Sequence, residues 1–385
     1  MLPAQPTPKS DADRAELARL QQRRAELEQQ VASLLAAARV YGVLTEAPPV
    51  VKLLSRGNPE QPAEEVAPDA LACVVELSAG LGTSQSTDAD RRKAFAAWVT
   101  SPTNPLTRRV IVNRLWHHHF GAGLVETPSD FGLGGGRPSH PELLDWLAEE
   151  LFVRGWSLKA IHRLIYTSAT YRQQSGSVSV ANAAASANRG RELDADNRLL
   201  WRMTPRRLDA ESLRDAVLTV SGKLNRQMFG PGRLSRLRVP RRVRPAYRYI
   251  TADSPDLWRR SACRLAVRTT THPFLTTLDC PSPANLIPAR SVTTTALQSL
   301  TLLNNDFMLR QSDYFAKRIA DEERIAPGTD AIANPTSSVT RAFQIAFGRQ
   351  PTPTEATAAQ TLVESQGLPV LCRMLLNANE FAYVD

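Results

Sequence analysis

Lysine is scarce in this chain: Lys9, Lys52, Lys93, Lys159, Lys223 and Lys317 stand against 47 basic residues in all. Arginine therefore carries most of the net charge of +9, a skew that codon composition explains as readily as phosphate contacts do. Charge alone does not argue for a nucleic-acid partner. Cysteine is also sparse. Cys73, Cys263, Cys280 and Cys372 show no metal-finger or redox spacing and no C-x-x-C-H, so neither haem nor any other cofactor is expected. Isolated, mostly buried thiols are the favoured outcome, and Cys263–Cys280 is the one pair close enough in sequence to consider for a disulfide. No apolar run approaches the roughly 18–20 residues that span a bilayer. The opening MLPAQPTPKS lacks the basic region and apolar core of a secretion signal. Taken as it stands, the chain is expected to be cytoplasmic if complete, or else a piece of something longer. A nucleophile elbow of the G-x-S-x-G type is missing, and so is a phosphate loop ending in Gly-Lys-Ser/Thr.

What is present describes a globular protein. With 385 residues, 42% hydrophobic and 22% charged, the chain has material for two or three domains with a real core. Residues 11–39 read as one helix. Leu17, Leu20, Leu27, Val31, Leu34 and Ala38 mark a coiled-coil-like seam interrupted at Arg24, and such a seam needs a partner. RVYGVL and PVVKLLSRG are expected to be two short strands around the turn TEAPP. From Arg91 onward helices dominate. One begins at Asn104-Pro105 and stops at Gly121. The next opens with Ser139 and Glu142 as a capping box and ends at Gly155, and a third is capped by Ser157. Further helices are expected in RRLDAESLRDAVLTVSGKL, in TTTALQSLTLLNND and over 352–366, capped by Thr352 and Glu355. Residues 175–190 read as a low-complexity, flexible loop. LLNNDF and LLNANEF echo each other, which suggests one helix-stop solution used twice.

The stretch from Asn113 to His140 holds most of the histidines. Successive helical positions point about 100° apart, so His117, His118 and His119 cannot grip one ion while the helix persists. The favoured reading places them in a last helical turn, bonding free carbonyls at the negative end of the helix dipole. No metal site is expected. The competing enzyme reading is a polar pocket of Asn113, His119, Asp130, Arg137 and His140, with Asp130 and His140 as an acid–base pair. Residues 233–250 interleave arginine with tyrosine. Arg236, Arg238, Arg241, Arg242 and Arg244 are the candidate polyanion contacts, and a solvated basic loop is the commoner outcome for such a segment.

Several blocks, taken together, resemble a known family. They are NPLTRRVIVNRLWHHHFGAGLVETPSDFG, RPSHPELLDWLAEE, GWSLKAIHRLIYTSATYRQ, DADNRLLWRMTPRRLDAESLRDAV, ARSVTTTALQSLTLLNNDF and LCRMLLNANEFAYVD. Their order is similar to the planctomycete-type domain of unknown function, the PSD family, that follows planctomycete cytochrome c domains in large exported proteins. The resemblance covers roughly residues 40–385. It implies an extracytoplasmic, mostly helical module with an upstream cytochrome c-type or other exported domain as partner. The chain's lack of a haem motif means that electron transfer is not carried over. The expected organisation is an N-terminal helix over 1–39, the tail of an upstream region, then a short β segment at 40–75 and a helical domain over 91–385. The fold class is mainly α with one or two small β elements. The expected role is a non-haem accessory or binding module.

Overall fold

The computed structural model describes residues 10–37, 46–72, 77, 80–175, 189–230, 236–239, 246–249, 253–268, 270–325 and 335–384. Two compact units divide the chain, Met1–Asn104 and Pro105–Asp385. The first holds α1 (Asp11–Ala37), the antiparallel pair β1 (Lys52–Leu54) and β2 (Pro62–Glu65), and α2 (Asp88–Val99). The strand expected in PVVKLLSRG thus forms and pairs with PAEE, while RVYGVL lies outside the described residues. A short reversal makes this pairing: Asn58 Oδ1 accepts the amide of Glu60 at 3.0 Å and turns the chain back at once. Thr87 caps α2 by accepting from the amide of Asp90.

The second unit is built around two apolar cores. The first is made by α3 (Pro105–Phe120), α4 (Pro141–Val153) and α5 (Leu158–Thr167). Val112, Leu147, Leu151 and Ile161 interlock there, each at most 2% exposed. Burying one such side chain is worth about 2 kcal/mol. The ion pairs Arg108–Glu149 and Arg109–Asp145, both 2.6 Å, also join α3 to α4. Both carboxylates are more than half exposed, and such pairs add about 0–1 kcal/mol each, so apolar packing decides the stability of this hairpin.

The α3 helix ends where the sequence predicts, with Gly121 in the left-handed region at φ 85°. Ser157 caps α5 as expected. The capping box at Ser139 does not form. His140 occupies the cap position without a side-chain bond, because Ser139 gives both its amide and its hydroxyl to the carbonyl of Leu124.

The second core gathers α6 (Ala210–Val220), α7 (Pro273–Thr277), α8 (Ala296–Asn304), α9 (Asp306–Ile325), α10 (Pro335–Phe347), α11 (Pro353–Gln366), α12 (Leu368–Leu376) and α13 (Asn379–Ala382). Phe315, Ile319, Met308 and Leu376 are fully buried at its centre. Thr352 and Glu355 form the predicted capping box of α11, and Thr295 with Gln298 makes another on α8. LLNNDF and LLNANEF both mark breaks between consecutive helices, α8 to α9 and α12 to α13.

Two further ladders complete the described residues. β3 (Arg206–Arg207) pairs antiparallel with β6 (Tyr383–Val384), and Leu208 donates to the carbonyl of Ala382 at 2.8 Å. β4 (Arg236–Val239) pairs with β5 (Ala246–Tyr249), Arg236 opposite Tyr249 and Arg238 opposite Tyr247. Part of the expected basic loop is therefore a hairpin, in keeping with the alternation in RLRV and AYRY. Arg241, Arg242 and Arg244, and most of the expected 175–190 loop, fall outside the described residues. The fold is mainly α, as expected.

Candidate functional site

The five residues expected to form a polar pocket are not brought together. Among the described residues, no hydrogen bond or ion pair joins any two of them. Asn113 is fully buried and serves the loop after α3: its Oδ1 accepts from Val125 N at 2.8 Å and its Nδ2 donates to Val125 O at 2.9 Å. Asp130 accepts the amide of Gly132 at 2.9 Å within its own turn. His140 Nδ1 lies 3.0 Å from Ser139 Oγ, and Arg137 is exposed.

His119 is buried at the other side of α3, where its Nε2 shares a hydrogen bond of 2.7 Å with Nδ1 of His162. The rings of Tyr166 and Tyr171 stand edge-on to it at 4.6 and 5.6 Å. Burial first, then the charges of His162 and Arg206, push the His119 imidazole down to about 4. The folded form therefore excludes a proton that the unfolded chain takes up below its ordinary 6.5, so stability is full above 6.5 and is lost as the pH falls toward 4. Between pH 7 and 5 the loss from this one group is about 2 kcal/mol. Urea midpoints at the two pH values check this. His119→Phe, which keeps the aromatic packing and cannot titrate, should show a smaller drop than the unaltered protein. An equal drop in both removes the assignment.

His117 and His118 splay away from each other as the helical geometry requires, their rings T-shaped with centroids 5.8 Å apart. They line a cleft of about 1260 Å³ whose walls come from the end of α3, residues 121–128, 196–200, 204–212 and 281–294, and the β6 strand. The histidines do not close the helix end as expected. Arg206 Nη1 donates to the carbonyl of His118, Gly121 N donates to the carbonyl of His117, and His117 Nδ1 is buried without a partner among the described residues. Arginine displaces histidine here because its guanidinium, reaching in from β3, brings a permanent charge to the negative helix end. Burial lowers the pKa of both histidines, with His118 and Arg206 adding to the effect at His117 and Arg290, Arg114 and Arg206 at His118.

Adjacent strand residues point to opposite sides, so Arg206 and its neighbour Arg207 serve different partners. Arg207, with a side chain only 8% exposed, donates to Asp279 Oδ2 at 2.7 Å, to Gln298 Oε1 at 2.8 Å and to the carbonyl of Thr293 at 2.7 Å. Asp279 also accepts from Thr293 N and Oγ1, both at 2.8 Å, which ties the two ends of the 280–292 loop. Burial raises the Asp279 pKa, but the bonds from Thr293, Arg207 and Gln298 outweigh it and hold the carboxyl low. Within that loop Arg290 pairs with Glu211 at 2.6 Å. Cys280 donates to Glu211 at 3.5 Å, and burial together with that carboxylate pushes the thiol up to about 11, which disfavours the thiolate at neutral pH. Cys263, Cys280 and Cys372 are all free.

Of the cleft residues the sequence singled out only the histidines for chemistry, and Arg206, Arg207, Asp279, Glu211 and Arg290 were not named. The signal was there in TPRRLDAES: an arginine pair followed by Asp209, which caps α6 by accepting from Ser212 N. Among the described residues no group of three or more His, Cys, Asp or Glu is placed to hold a metal ion, and no helix is long and apolar enough to cross a membrane. No curated protein and no solved structure matches this chain. Residues 91–363 match the model of PSD1, described as a protein of unknown function (DUF1553), and the chain belongs to that family.

Proposed function

We propose that this chain is a binding module, working within a larger exported, cytochrome-associated protein, whose cleft takes an acidic ligand. One observation carries the reading. Arg114 and Arg206 both line the cleft, and among the described residues neither has a carboxylate partner. The other lining arginines are neutralised: Arg207 by Asp279, Arg290 by Glu211, and Arg198 by Glu126 at 3.7 Å. The Arg114 guanidinium and the donors of Arg206 other than Nη1 are thus left to a ligand, and guanidinium matches carboxylate, sulfate or phosphate oxygens. His117 and His118, uncharged at neutral pH, add hydrogen-bonding nitrogens rather than further charge. A volume of about 1260 Å³ exceeds the roughly 300–1,000 Å³ of a small-molecule site, which favours a stretch of acidic polymer over a metabolite. The exported setting and the cytochrome neighbour are supported by the sequence resemblance and not by the cleft.

Calorimetric titration with an oligogalacturonate, a sulfated dextran fragment and neutral dextran tests the proposal. The acidic oligosaccharides should bind, more weakly as salt rises, and Arg114→Ala with Arg206→Ala should weaken them about tenfold or more. Equal binding of neutral dextran, or affinity untouched in the folded double variant, rules the reading out.

A further inference from the structure

Helix α1 carries an apolar seam that none of the described residues covers. Leu17, Leu20, Leu27 and Val31 are 44%, 59%, 46% and 53% exposed, and every described side chain from Asp11 to Ser33 is exposed. The helix is 27 residues long, and the side-chain pairs described along it are local ones such as Arg23–Glu26 at 3.2 Å and Arg24–Glu28 at 2.8 Å. Such pairs add only about 0.2–0.5 kcal/mol each, whereas each seam leucine left in water forgoes about 1.5–3 kcal/mol.

We propose that α1 pairs with α1 of a second copy of this chain, parallel and in register, as a two-stranded coiled coil. This inference stands apart from the cleft. The charges beside the seam select the occupant. With Leu17, Arg24 and Val31 at the a positions and Leu20, Leu27 and Leu34 at d, the g flank reads Glu16, Arg23, Gln30 and the e flank reads Arg14, Gln21, Glu28. In a parallel pair each g residue faces the e residue five positions later on the other chain. Arg23 then meets the partner's Glu28, twice by symmetry, and Glu16 meets the partner's Gln21. Between Glu16 and Glu28 no like charges face each other along these flanks. Turned antiparallel with the leucine layers matched, Arg23 faces the partner's Gln30 and Gln21 faces the partner's Glu28, so both ion pairs vanish. Between Leu17 and Leu34, Arg24 is the single polar layer of the seam, and it meets its counterpart when the two helices are parallel and unshifted. Its guanidinium already leans out of the seam to Glu28, so its stem packs while its charge stays solvated.

Light scattering on the full chain should give twice the 42.4 kDa of one copy. Leu20→Glu with Leu27→Glu should give a single copy with the heat transition of residues 105–385 unchanged. Arg23→Glu should raise the dissociation constant about tenfold, since two attractions become two repulsions, and adding Glu28→Arg should restore it. Leu27→Cys should cross-link across the seam on mild oxidation, where the unaltered chain does not. A single copy from the unaltered chain overturns the proposal. So does a dimer that survives Leu20→Glu with Leu27→Glu, or one in which Leu27→Cys fails to cross-link.

Discussion

Arg207→Met is expected to destabilise the unit of residues 105–385 by about 3–5 kcal/mol, because it strands a buried carboxylate. Asp279 is held by Arg207, Gln298 and both donors of Thr293, and its own side chain is only 17% exposed. Removing the guanidinium leaves the charge without its counter-ion and frees the carbonyls of Thr293 and Leu278. Methionine fills much of the volume, so the loss reports the charge rather than a cavity. By the usual scaling for a domain of this size the thermal midpoint falls by about 10 °C. Arg207→Met with Asp279→Leu removes both charges and should recover part of the loss. It should not recover all of it, since Thr293 and Gln298 also lose their acceptor. Calorimetry on the three variants reads this directly, and a single-variant loss under about 1 kcal/mol would mean that the pair is solvated and the loop is held by something else.

Asn113→Ala comes second, with an expected cost of about 2–4 kcal/mol. The side chain pairs with both the amide and the carbonyl of Val125, so truncation leaves two backbone groups buried without partners. Gly123 shows how closely the loop is drawn in, for a Cβ there would stand 2.8 Å from Asn113 Oδ1 and 2.4 Å from the carbonyl of Val125. Asn113→Asp should do no better, since it loses the donor and brings a charge into an apolar site. The urea midpoint is the measurement. A variant that keeps full stability while losing ligand affinity would return Asn113 to the pocket that the sequence suggested.

Those two residues also mark where the sequence is legible. The elements α3, α4 and α5 can be read because three-four periodicity, Pro105, Gly121 and Ser157 all act locally. The splay of His117 to His119 follows from helical pitch alone. The cleft could not be read in the same way. Its walls come from four distant stretches and a returning strand, and no local pattern says that Arg206 meets the end of α3, 88 residues earlier in the chain. Crowding of polar residues over 113–140 suggested one pocket, whereas neighbours on a helix face different surroundings and these residues take separate partners. Ser139 failed as a cap for a related reason: Leu124 competes for its hydroxyl across 15 residues.

The β3–β6 ladder has a consequence for how the chain is made. Arg206 and Arg207 leave the ribosome long before Tyr383 and Val384, whose backbone they need. The contacts of the α3–α5 hairpin are close in sequence and can form early. The cleft then waits as an unzipped edge through the synthesis of about half the chain, and premature termination ahead of Tyr383 would leave that edge open to strands of other nascent chains.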